Sequence, residues 1–263
     1  MNDFVLRERY GATLVISINR PDRLNAFDLE VRHALGQAII DARDDDTVQA
    51  IIITGTQGVF SAGGDLKALS EEKRPVFKDR ERIRRLHPWF RELVNLEKPV
   101  IAAVDGPAFG GGLNLALACD FIIGTSRSRY CAVFARLGMV PDLGGLFLLP
   151  RIVGLQRAKD LVFSAREFDA YEALRLGILF RIVEPDCLLE NALALAERYH
   201  QASTIGFGMS KNILNRSFNL DQDTLAELES YAQAVALHTP YHDAAVANFL
   251  NKRPLLFPGD IKP

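Results

Sequence analysis

Two kinds of apolar run alternate along the first two thirds of the chain. Short stretches at 12–19, 50–54, 100–104 and 121–124 have the length and β-branched content of strands. The run Val100-Ile-Ala-Ala-Val104 has no polar position, the pattern of a strand covered on both faces. Between these runs apolar positions recur at helical spacing. Asp28 opens one such segment, which reaches about Arg43. Further helices are predicted at 146–152, 154–163 and 168–177, the last ending on Gly177. A strand at Arg181–Val183 follows, and from Pro185 the character changes. Helical periods fill 186–200, 204–216, 221–237 and 240–251 with little strand signal. The pattern therefore predicts an α/β core over 1–185 and an all-helical region over 186–263 suited to subunit contacts.

Glycine punctuates the core in a repeated way. A strand, a glycine-rich turn and a helix start occur twice, with Ala62-Gly-Gly-Asp-Leu66 in the first turn and Gly110-Gly-Gly112 in the second. Glycines at a helix start cost backbone entropy, and they make sense where something must lie against bare backbone. The first amides of a helix lack internal partners and sit at its positive end, which suits a negative charge developing on a ligand. A tight packing turn explains the same glycines without any ligand. Neither turn is a P-loop or a spaced-glycine dinucleotide fingerprint, and no Gly-x-Ser-x-Gly elbow occurs. A third glycine turn, Leu137 to Gly145, carries Asp142. The strongly charged stretch 71–85 predicts an exposed helix, and His87, Trp89 and Phe90 after it read as core before pocket wall.

Composition narrows the classes. The 263 residues are 48% hydrophobic and 24% charged with a net charge of −2, so nothing electrostatic favours nucleic acid or an anionic membrane. Cys119, Cys131 and Cys187 are odd in number and widely spaced, which argues against a disulfide framework and for a reducing, cytoplasmic setting. The start of the chain lacks the charged and apolar regions of a signal peptide, and no apolar run reaches membrane-spanning length. His238 and His242 flank Pro240 without a further ligand, so no metal site is expected.

Five motifs in order give the chain a family likeness: Asn19-Arg-Pro-Asp-Arg-Leu-Asn-Ala26, Phe60-Ser-Ala-Gly-Gly-Asp-Leu66, the stretch Gly110–Asp120, Leu137–Arg151 and Phe249-Leu-Asn-Lys-Arg253. Over nearly its whole length the sequence resembles the crotonase (enoyl-CoA hydratase/isomerase) superfamily. The resemblance implies a spiral of β-β-α units with a helical trimerisation tail, assembled as a homotrimer or dimer of trimers. It implies an acyl-CoA thioester substrate, so that coenzyme A enters with the substrate and no separate cofactor is expected. It places an oxyanion hole at the Gly64 and Gly111 amides. Coenzyme A is expected around Arg23, Leu24, Ala26, Ala62, Leu66 and Lys67, with Phe249 and Lys252 at its adenine end.

The departures from the family pattern carry as much weight. Where the family's hydratases place two glutamates, this chain has Asn114 and Phe134, neither of which takes up a proton near neutral pH. Asp142 remains, at a position that resembles the aspartate of the family's dienoyl-CoA isomerases. Asn114, an apolar Phe134 and the Pro-Asp-x-Gly-Gly turn together resemble the isomerases of ring-epoxidised phenylacetyl-CoA. These features imply an acyl-CoA isomerase in which Asp142 shuttles a proton and Asn114 bonds the substrate or orients Asp142. Hydration with an unusual base, thioester hydrolysis, decarboxylation and a non-catalytic acyl-CoA-binding homologue stay open, and Asp142 also suits a plain turn. Asp65 and Asp120 read as structural.

Overall fold

The computed structural model describes residues 4–70 and 74–257. Its strands are β1 (Val5–Tyr10), β2 (Thr13–Ile18), β3 (Ala50–Gly55), β4 (Val100–Val104), β5 (Pro107–Phe109), β6 (Phe121–Thr125), β7 (Arg129–Cys131), β8 (Glu167–Asp169) and β9 (Arg181–Val183). The helices of the first half are α1 (Leu29–Asp44), α2 (Leu66–Ser70), α3 (Val76–Arg84), α4 (His87–Asn95) and α5 (Gly111–Leu117). Then come α6 (Gly145–Val153), α7 (Leu155–Ser164), α8 (Ala170–Arg175), α9 (Leu188–His200), α10 (Thr204–Leu214), α11 (Gln222–Leu237) and α12 (Pro240–Leu250).

Six strands form one sheet in the order β1-β2-β3-β4-β6-β9, parallel except for the β1–β2 hairpin. A smaller sheet, β5-β7-β8, stands beside it. Side chains alternate strictly between the faces of the large sheet, as a period of two requires. Ile51 and Ile53 of β3 join Val100, Ala102 and Val104 of β4 in the main core under α1 and α4. Ala50, Ile52, Ile101 and Ala103 point the other way, onto Leu188, Ala192, Leu195 and Ala196 of α9. Every residue of β4 is buried, which explains why its sequence shows no polar position.

That second layer moves the expected boundary. The change of character at Pro185 is real, but α9 covers the back face of the sheet and belongs to the core; only α10 to α12 lie beyond it. Two further differences have local causes. The N-terminal edge strand β1 is exposed at four of its six positions, three of them the charged Arg7, Glu8 and Arg9, so it shows no apolar run. The predicted helix at 168–177 begins at Ala170, because Glu167–Asp169 pairs with β7 and Asp169 caps the helix by accepting from the Glu172 amide at 2.8 Å. As expected, α3 has no buried residue and is mostly exposed, and Trp89 and Phe90 are buried. Residues 71–73 of the charged stretch lie outside the described residues.

Asp120 is structural, through an ion pair. Its Oδ2 accepts from the Val100 amide and from Lys211 Nζ, both at 2.8 Å, which ties the starts of β4 and β6 to α10. Lys211 also donates to the Lys98 carbonyl at 3.2 Å, and its side chain is 5% exposed. Removing one member leaves the other charge buried, the costly way to break such a pair. Lys211→Met is therefore expected to lower unfolding free energy by about 3–5 kcal/mol, read from urea unfolding at matched protein concentration. An unchanged midpoint would show that the pair holds nothing.

Candidate active site

Three loops meet at the carboxyl ends of β2, β3 and β4. The segment 61–65 runs between the other two and bridges to each. On one side Phe27 N donates to the Gly63 carbonyl at 2.6 Å, and Asp65 N donates to the Phe27 carbonyl at 3.1 Å. On the other side Ser61 N donates to the Pro107 carbonyl and Phe109 N to the Ser61 carbonyl, both at 2.9 Å. In such parallel pairing the residue opposite Phe27, which is Gly64, turns its own N–H away from Phe27. Gly111 is the first residue of α5, where an amide has no helical acceptor. Neither amide donates to a protein acceptor among the described residues, and both line one cavity of about 370 Å³.

Gly63 fixes the distance between the two donors. A Cβ there would lie 2.5 Å from the Phe109 carbonyl oxygen and 3.1 Å from the Gly111 nitrogen, at a φ of +89°. Only glycine permits both the approach and the dihedral. Buried polar groups hold the loops in register. Ser61 Oγ donates to the Asn25 carbonyl at 2.8 Å and accepts from Gly63 N at 3.1 Å. Asn25 reaches three further points: its Oδ1 accepts from Arg20 N, and its Nδ2 donates to the carbonyls of Thr56 and Val59. Asp65 caps α2 and pairs with Arg20 at 2.8 Å, so its expected structural role holds.

Opposite the amides stands the turn 141–144. Among the described residues Asp142 is the only carboxylate lining the cavity. Burial pushes its carboxyl above the ordinary aspartate range, against the opposing pull of Arg32, Arg82 and His87. Asn114 does not line the cavity. Its Nδ2 donates to the Asp142 carbonyl at 2.8 Å, and the Gly145 amide donates to the same oxygen at 3.0 Å. A Cβ on Gly145 would sit 2.5 Å from the Asn114 amide group, so the glycine makes room for this bond. Asn114 thus bonds the main chain of the turn that carries Asp142. Phe109 and Phe134 line the cavity, whereas His87, Trp89 and Phe90 do not.

The residues expected to meet coenzyme A divide. Ala62 and Leu66 line the cavity. Ala62 N donates to the Leu24 carbonyl at 2.9 Å, which sets Arg23 and Leu24 beside it, and Leu24 is exposed at a φ of 51°. Ala26 is buried and Lys67 is exposed on α2. Phe249 and Lys252 are not brought to this cavity: both are exposed at the end of α12. Sequence reading missed Arg32, a charge on the buried face of α1 between Val31 and Leu35, and Arg82; both line the cavity. The break in the apolar stripe of α1 was the available signal for Arg32.

Comparison with known proteins agrees with this geometry. The profile of the family described as Enoyl-CoA hydratase/isomerase matches residues 8–260. The chain is 32% identical over 263 residues to the 1,2-epoxyphenylacetyl-CoA isomerase of Escherichia coli K12, covering 98% of this chain and all of that one. It is 35% identical over 250 residues to the short-chain-enoyl-CoA hydratase of Clostridium acetobutylicum, with 95% of each chain covered. Among solved structures, an enoyl-CoA hydratase/isomerase from Cupriavidus metallidurans CH34 superposes with a TM-score of 0.93 at 38% identity, covering 99% and 98% of the two chains.

The raised Asp142 carboxyl has a consequence for stability. An aspartate whose folded pKa exceeds its unfolded one penalises the fold as pH rises through the folded value. Asparagine carries no such penalty. Asp142→Asn should therefore melt above the native protein at pH 7, and the gap should close as pH falls to the ordinary aspartate value. A gap that widens on acidification would mean that the carboxyl is held low instead.

Proposed function

The chain belongs to the enoyl-CoA hydratase/isomerase family, and on that premise we propose that it is an acyl-CoA isomerase with Asp142 as its proton shuttle. The observation that carries the reading is the cavity lining: Asp142 lines the same space as Gly64 and Gly111, whose main-chain amides have no protein acceptor among the described residues. The thioester carbonyl would accept from Gly64 N and Gly111 N. The Asp142 carboxylate would remove a proton from the acyl chain, leaving an enolate whose charge rests on the two amides. The same carboxyl, now protonated, would return the proton to a different carbon and move the double bond. No atom is gained or lost. Preorganised amides act where charge appears only along the reaction, and removing one such donor typically costs about 10²–10³ in rate.

Desolvation suits Asp142 to both halves of this cycle, since a carboxyl with a raised pKa is a stronger base and still a usable acid. Asn114 contributes by fixing the main chain of the turn, and Phe134 presents a phenyl where the family's hydratases carry a glutamate. Coenzyme A is proposed to lie along Arg23, Leu24, Ala26, Ala62, Leu66 and Lys67. No side chain of α11 or α12 is buried, and Tyr231, Val235, Leu237 and Val246 expose apolar surface there. That surface supports the proposed trimeric assembly. Among the described residues no helix is long and apolar enough to cross a membrane, and the unpaired thiols of Cys119 and Cys131 support a cytoplasmic location. Hydration, with Asp142 as sole base, is the second reading, favoured by the likeness to a short-chain hydratase.

Incubation with enoyl-CoA and epoxyphenylacetyl-CoA thioesters in heavy water separates the two. The proposal expects a product isomeric with the substrate apart from deuterium taken up at carbon, and a fall of about 10²–10⁴ in rate for Asp142→Asn. A product heavier by one water favours hydration. Full activity in Asp142→Asn overturns Asp142 as the base.

A further inference from the structure

Arg32 has no place in that mechanism, yet it is the least satisfied charge near it. It lies on the core-facing side of α1 and is 8% exposed. Its Nε has no hydrogen-bond partner, and among the described residues its guanidinium takes part in no ion pair. Buried arginines are ordinarily paired, because stripping water from a cation without replacement is costly. The acids nearby are committed elsewhere. Asp28 caps α1 through the Val31 amide at 2.9 Å and pairs with Arg20 at 3.0 Å. Asp65 is held by Arg20 and the first amides of α2. Asp142 faces Arg32 across the cavity without forming an ion pair with it.

We propose that the acyl group taken by this enzyme carries a second carboxylate, bound inside the acyl cavity by the Arg32 guanidinium. The proposal rests on the acyl-CoA reading above and adds the class of acyl chain. Among the described residues the charged side chains lining the cavity are Arg32, Arg82 and Asp142, two cations to one carboxylate. Arg82 keeps Asp79 as a partner at 3.3 Å, which leaves Arg32 as the group without one. Arg32 and Arg82 also line an adjoining cavity of about 690 Å³ with Arg74, Lys78 and Arg85, against Asp28, Asp65 and Glu81, so among the described residues cations outnumber carboxylates there. Glu81 partly offsets that charge through Arg85 at 2.7 Å and Lys78 at 3.8 Å.

A hydrocarbon tail filling the cavity would displace water from Arg32 and offer no acceptor. A carboxylate would replace that water with a charge-assisted, potentially bidentate bond of the kind guanidinium favours.

The test compares adipoyl-CoA with hexanoyl-CoA, which match in chain length and differ in ending in a carboxylate or a methyl. Calorimetric binding to the native protein needs no turnover, so it is independent of which reaction Asp142 performs. Adipoyl-CoA is expected to bind at least about tenfold more tightly, the worth of one hydrogen bond to a charged group. Arg32→Met should bring the ratio of affinities to about one, and Arg32→Lys should reduce it while keeping the charge. Equal affinities in the native protein, or a ratio unchanged in either variant, overturn the proposal while leaving the isomerase reading intact. If neither thioester binds, the acyl-CoA reading itself fails.

Discussion

Everything at this site depends on two peptide N–H groups from separate segments being held close together with nothing between them. The contact that enforces it is backbone against backbone: Gly63 lies where a methyl group would strike the Phe109 carbonyl and crowd the Gly111 nitrogen. Main-chain donors cannot swing away as side chains can, so their position is set by the loops that carry them. Those loops are joined by Ser61 and Asn25, both fully buried and both bonded to main-chain groups of more than one segment. Fully satisfied polar networks of this kind rigidify a site, and partial loss leaves buried groups unpaired. The parallel sheet beneath supplies the frame, since its strands deliver all three loops to one end.

Asp142 shows the balance the cavity strikes. Burial raises its carboxyl and the Arg32 and Arg82 guanidinium groups oppose the rise. The wall around it is largely apolar, formed by Phe109, Val133 and Phe134. Asn114 supports this arrangement from behind, through the Asp142 carbonyl. Relatives of this chain carry different names, one an isomerase and one a hydratase.

Much of this was legible in the chain because the relevant signals are local. The unbroken Val100–Val104 run announced a strand covered on both faces, and it is buried throughout. The glycine clusters marked both amide loops, and the Pro141-Asp-Leu-Gly144 turn marked the only carboxylate lining the cavity among the described residues. What escaped depends on partners remote in sequence. The α9 pattern reads as one more amphipathic helix, and only the finished sheet shows that its apolar face covers β3 and β4. Asn25 looks like a loop residue until Thr56 and Val59 are placed beside it. Phe249 and Lys252 carry a motif, but the fold of the described chain leaves them exposed and away from the cavity.

The central claim is that Gly64 N and Gly111 N together polarise the thioester carbonyl. Infrared difference spectroscopy of a bound acyl-CoA carrying a ¹³C-labelled thioester carbonyl reads that polarisation directly, because two hydrogen bonds weaken the C=O bond. The account predicts a carbonyl stretch at lower frequency in the complex than in water. A stretch at the aqueous frequency or above it would contradict the claim.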